Sequence, residues 1–275
     1  MLVNVSRRTF ILTGSALIVP TFAAGRQQGG PGVSAGPGPS AGGPNAVFPT
    51  QDPDLVREMV TVSHFSVKRV KELVDHQRTL AGAAWDWGFG DWENALGAAS
   101  HVGNREIAEY LIAHGARPTI FSAAMLGQLD VVKAFVAASP GVQRIDGPHG
   151  ITLLAHATAG GERARPVLAY LEGLGDADQR LVAEPLTEEE IAALVGTYAY
   201  GPGVTERIAI DASKGQLGFT RAKATTRALS HRGHREFSPA GAPDVRIKFM
   251  AEGGRALLLT VHDPDLVLSA RRVSE

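Results

Sequence analysis

The sequence predicts an α+β chain in two folded parts, an α-helical solenoid followed by a small antiparallel β-barrel. Three observations predict it. Between residues 51 and 185 a pattern of short helix, Gly-containing turn and second helix recurs. Past Glu184-Pro185 the apolar residues alternate in short runs split by turn residues. The chain has 275 residues, 44% hydrophobic and 20% charged, which suffices for one large core or two small ones.

Residues 1–25 read as an export signal. Ser6-Arg7-Arg8-Thr9-Phe10 precedes an apolar run, Ile11 to Phe22, too short and interrupted to cross a bilayer stably. The arginine pair resembles the twin-arginine export signal, with Ile11 and Leu12 in place of the usual Leu-Lys. Proteins using that route cross folded, so the resemblance implies a periplasmic or extracellular protein. Residues 26–50 are rich in Gly and Pro and are expected to be a linker without a core.

In the helical part, residues 51–185, Asp52 is the expected N-cap with Pro53 at the first helical position. Ala95 to Ala99 lead through Gly103 to Ile107, Tyr110 and Leu111. Ser122 to Ala124 lead through Gly127 to Val131, Val132 and Phe135. Thr152 to Ala157 lead through Gly160-Gly161 to Val167, Leu168 and Leu171. Small residues on the first helix let neighbours approach, and the glycine supplies the turn. One such hairpin cannot bury its own apolar face, so copies are expected to stack, with a leading unit over 55–80. Thr152-Leu153-Leu154-Ala155-His156-Ala157 and Gly115-Ala116 resemble the ankyrin repeat. That resemblance implies a protein-binding surface with no built-in catalytic group. It also implies that His101, His114 and His156 serve packing or loops.

All three tryptophans stand in Trp85-Asp86-Trp87-Gly88-Phe89-Gly90-Asp91-Trp92, followed by Glu93 and Asn94. The rings can stack on a sugar or anchor a partner, and Asp86 and Asp91 can accept hydrogen bonds. The same octet can equally close the first unit and pack on its neighbours. An acid pair drawn from Asp86, Asp91 and Glu93 is a further possibility. Trp85, Asp86, Trp87, Asp91 and Trp92 are the candidate contact residues.

From residue 186 to 275, Thr187 and Glu190 predict a capping box for one short helix. Eight strand-like runs follow, the first at Gly196 to Tyr200 and the last at Leu266 to Val273, and closure into a barrel would remove exposed edges. Val195-Gly196-Thr197-Tyr198, Gly215-Gln216-Leu217, Phe237, Val245 to Phe249 and Ala270 to Val273 resemble the lipocalin-like module appended to some serine β-lactamase-like hydrolases. The resemblance implies a carrier or a hydrolase accessory as alternatives. From Lys214 to Arg235 six basic residues occur with no acid, whereas residues 51–185 carry 12 basic and 17 acidic ones. Arg221, Arg227, Arg232 and Arg235 are therefore candidates to meet the acidic helical part or an acidic ligand.

A net charge of −1 argues against nucleic acid as a partner, and the absence of cysteine excludes a disulfide framework, a thiol nucleophile and a Cys-type zinc site. His231 and His234 lack a third ligand fixed by the sequence and read as a hairpin tip. The expectation is an exported, monomeric, non-catalytic protein-binding module, with a small-molecule carrier or hydrolase accessory as alternatives. No cofactor, metal ligand or catalytic residue is assigned.

Overall fold

The computed structural model describes residues 49–273 apart from 180–182, 223 and 265. The signal and nearly all of the linker lie outside the described residues. Asp52 caps α1 (Pro53–Val62), its carboxylate accepting the Asp54 amide at 2.8 Å. The remaining helices of this part come in sequence pairs: α1 with α2 (Val67–His76), α3 (Ala95–His101) with α4 (Arg105–Ala113), α5 (Ile120–Met125) with α6 (Leu129–Ala138), and α7 (Leu153–Ala159) with α8 (Arg165–Leu174). Asn94, Asn104, Thr119 and Thr152 cap α3, α4, α5 and α7 through their side chains. Helix α1 packs on α3, α3 on α5 and α5 on α7, so the odd helices form a row.

Gly103 and Gly127 end α3 and α5 at φ +75°, and a Cβ on either would stand 2.2 Å from a backbone carbonyl oxygen, that of Ala159 or Arg163. The recurring glycine thus serves a backbone-to-backbone approach as well as a turn. Met59, Leu96, Ile107 and Leu111 are fully buried in the first core cluster, and Leu153, Val167 and Leu171 in the second. Each large side chain so buried contributes about 1.5–3 kcal/mol.

One departure from the sequence reading lies inside the helical part. The tryptophan segment is a β-hairpin, β1 (Ala84–Asp86) with β2 (Trp92–Asn94), in the register Trp85↔Glu93. Its turn passes through three successive positive-φ residues, Gly88, Phe89 and Gly90. The second departure is the long connection between α6 and α7. It holds short 3-10 turns at Val142–Arg144 and Pro148–Gly150, with His149 at φ +61°.

The C-terminal part is a closed antiparallel barrel of eight strands, in the circular order β10-β3-β4-β5-β6-β7-β8-β9. The strands are β3 (Gly196–Ala199), β4 (Arg207–Ser213), β5 (Gln216–Arg221), β6 (Arg227–His231), β7 (Glu236–Pro239), β8 (Arg246–Glu252), β9 (Arg255–Asp263) and β10 (Leu266–Arg272). Tyr198, Phe237, Phe249, Ile208, Leu217 and Leu259 fill it. Helix α9 (Glu188–Leu194), with its Thr187/Glu190 capping box, places Leu194 against this core. At the opposite end Phe89, from the hairpin turn, packs on Phe219 with ring centroids 5.6 Å apart. Helices and barrel belong to one compact unit. No helix among the described residues is long and apolar enough to cross a membrane.

Candidate metal centre

The hairpin aims alternate residues to opposite sides. Trp92 stays 64% exposed, while Glu93 beside it is completely buried. Three histidines from three other elements meet Glu93. His64 follows α1, His101 ends α3, and His149 sits on the 3-10 turn before α7. Glu93 Oε1 lies 2.9 Å from His101 Nε2 and 3.6 Å from His64 Nε2, and those two nitrogens are 3.0 Å apart. His149 Nε2 lies 3.4 Å from Glu93 Oε2. One ligand atom from each of the four residues falls within 4.8 Å of all the others.

The far side of two rings is held. His64 Nδ1 faces the carbonyl oxygens of Val60 and Thr61 at 3.2 and 3.0 Å. Carbonyls only accept, so Nδ1 carries the proton and a neutral His64 turns a bare Nε2 inward. His149 Nδ1 lies 2.8 Å from Asp91 Oδ2, and its backbone N–H donates to Asp91 Oδ1 at 2.9 Å. Asp91 thereby holds a non-glycine residue in the left-handed region, and also receives Arg227 from β6. The Trp87 indole N–H donates to Glu93 Oε2 at 2.8 Å, which fixes the carboxylate plane.

Burial alone would raise the Glu93 carboxyl, but hydrogen bonds from His101 and His149 outweigh it and hold it at about 2. Burial would likewise lower His149, yet its bonds to Asp91 and Glu93 push it up to about 9. Asp91 is held below the carboxylate range: its bonds to His149 and Arg227 overcome the effect of burial. Next to His101, with ring centroids 6.3 Å apart, His156 is fully buried and pushed down to about 4 by desolvation.

Such a group fits a divalent transition metal. Spokes of about 2.1 Å to nitrogen and oxygen require ligand–ligand edges of roughly 3.0 Å in an octahedron and about 3.4 Å in a tetrahedron. The contacts of 2.9 and 3.6 Å at Glu93 Oε1 and of 3.0 Å between His64 and His101 lie close to those values; His149 meets the other carboxylate oxygen at 3.4 Å, and the four ligand atoms all lie within 4.8 Å of one another. Nδ1 atoms bonded outward to a carbonyl or carboxylate are the usual support of metal-bound imidazole. The His64 and His149 side chains remain 23% and 28% exposed, so the centre has a solvent-facing side.

No known family, curated protein or solved structure matches this chain.

Of the residues singled out from sequence, the structure brings Trp87 and Asp91 to the centre, as supports. Asp86 caps the hairpin turn through the Gly88 amide at 2.8 Å. Asp86 thus turns to its own loop, whereas Asp91 and Glu93 share His149, one at each ring nitrogen. Trp85 lines a neighbouring groove with Arg221. Among the described residues, Arg227 is the one of the four candidate arginines whose guanidinium meets an acid of the helical part. Arg235 is at the α9 end of the barrel, and Arg232 precedes it in the same turn. The sequence reading assigned no metal ligand, and the grouping of His64, Glu93, His101 and His149 is one it did not single out. His101 faces Glu93 in that group, whereas His114 bonds the Tyr110 carbonyl and lies against that ring, centroids 4.0 Å apart.

Proposed function

We propose that this protein holds one divalent transition-metal ion at His64, Glu93, His101 and His149 and presents it to an oxygen-bearing ligand. The observation that carries this is the convergence of three imidazole Nε2 atoms on a buried carboxylate. Imidazole with carboxylate suits zinc, iron, nickel or copper. A bound ion would act as a Lewis acid toward water or a ligand oxygen arriving between His64 and His149. Export in the folded state is consistent with a site built from four separate elements.

The test is metal analysis of the purified full chain, with zinc titrated into chelator-treated protein. About one ion per chain is expected, bound at least 100-fold more weakly by folded His101→Ala and Glu93→Gln variants. Wild-type affinity in both variants would sink the reading.

A protein partner on the repeat-like helical part is the second reading, favoured by the exposure of Trp92. Trp87, tied to Glu93, is unsuited to that role. A partner retained by wild type and equally by Trp92→Ala would remove the hairpin from it.

A further inference from the structure

Beside the centre lies a groove of about 590 Å³ between the hairpin and the barrel. Its walls carry two guanidinium groups held by aromatic rings. Arg57 of α1 lies over Trp85, 5.8 Å from the ring centroid, and Arg221 of β5 lies over Tyr200 at 5.2 Å. Arg221 also donates from Nε to the Tyr200 hydroxyl at 2.7 Å, and that hydroxyl donates to the Thr205 carbonyl at 3.1 Å. Among the described residues Arg221 forms no ion pair, and the partner of Arg57, Asp54, is strongly exposed. Two carboxylates, Asp86 and Glu206, line the same groove, each accepting a backbone N–H of its own turn. Trp87 and Thr225 are shared with a smaller cavity of about 220 Å³ that reaches His149.

We propose that this groove binds an acidic carbohydrate of the uronate class, its carboxylate taken by Arg57 and Arg221 and its hydroxyls by Asp86 and Glu206. Guanidinium groups fixed in orientation match a planar carboxylate. Wall carboxylates repel a doubly charged phosphate or sulfate more than a singly charged carboxylate, and they accept hydrogen bonds from sugar hydroxyls. The Trp87 ring, fixed by Glu93, supplies an apolar wall for the C–H face of a sugar ring. The volume falls in the ordinary range for small-ligand sites, roughly 300–1,000 Å³. This inference stands apart from the metal reading: none of the four proposed ligands lines the groove, and the one link between the two sites is the Trp87–Glu93 hydrogen bond.

All three tryptophans are in the hairpin, so intrinsic fluorescence reports from this region alone. The full chain is titrated with digalacturonate, its neutral methyl ester and inorganic phosphate, in chelator-treated and zinc-supplemented forms. Digalacturonate is expected to change the emission saturably in both forms. Affinity should fall about tenfold or more for the ester and for each of Arg57→Gln and Arg221→Gln. An Arg144→Gln control should keep wild-type affinity, and circular dichroism confirms that each variant folds. No saturable change with digalacturonate, equal binding of the ester, tighter binding of phosphate, or binding only when zinc is present would each overturn the proposal. The last outcome would place the ligand on the ion.

Discussion

At the scale of single residues, Asp91 carries the heaviest load. One carboxylate accepts the His149 backbone N–H, the His149 ring and Arg227, whose side chain is 7% exposed. Asp91→Asn leaves the Arg227 charge buried without its counterion, and about 3–5 kcal/mol of stability should be lost in urea denaturation. The same change frees His149, so zinc affinity should fall about 10–100-fold in competition with a chromophoric chelator. An unchanged affinity would show that Asp91 does not support the centre. His156 makes a pH prediction whose sign follows from burial. Its folded pKa is about 4 against an ordinary 6.5, so its neutral form is the one the fold accepts. Its contribution is therefore complete above pH 6.5 and is lost as pH falls toward 4, up to about 3 kcal/mol. Chemical denaturation of His156→Phe should show a shallower loss than wild type across that window. Parallel curves would exclude His156 as the titrating group.

At the scale of elements, the glycine turns and the hairpin behave differently. Gly103 must accept both a positive φ and a carbonyl oxygen 2.2 Å from any added Cβ. Gly103→Ala should cost about 2–4 kcal/mol. Gly82→Ala, where nothing lies within 4 Å of the added atom and φ is not positive, should change stability by less than about 0.5 kcal/mol. Equal costs would mean that close approach at α3 does not matter. The helix pairs were legible because the Gly-turn rhythm repeats in sequence, and the eight barrel strands because half-buried strands alternate. Two three-residue strands amid helices leave too short a period to read. The tryptophan octet therefore gives no strand signal, although a packing role for it is readable beside a binding one.

At the scale of the whole molecule, the centre ties together α1, the hairpin, α3 and the connection before α7, and Asp91 extends that tie to β6. Zinc at about 1,000 times its dissociation constant should stabilise the full chain by about 4 kcal/mol. Hydrogen exchange should slow around residues 60–64, 91–101 and 146–152 on loading, with little change in the β8–β9 pair. A uniform slowing, or none, would contradict an ion held at this place.

Local order was written in the chain itself. Caps at Asp52 and Thr187, turns at Gly103 and Gly127, and alternation from β3 to β10 depend on neighbours a few residues away. The centre depends on none of these. His64, Glu93, His101 and His149 stand in no common motif, and spacings such as the 37 residues between His64 and His101 record only where helices and turns happen to end. Only packing of α1 on α3, and of the connection before α7 on the hairpin, brings their nitrogen and oxygen atoms within 4.8 Å. Burial then sets the charge of each group. Composition and periodicity thus determined the elements, and tertiary contact decided which polar side chains share one desolvated space.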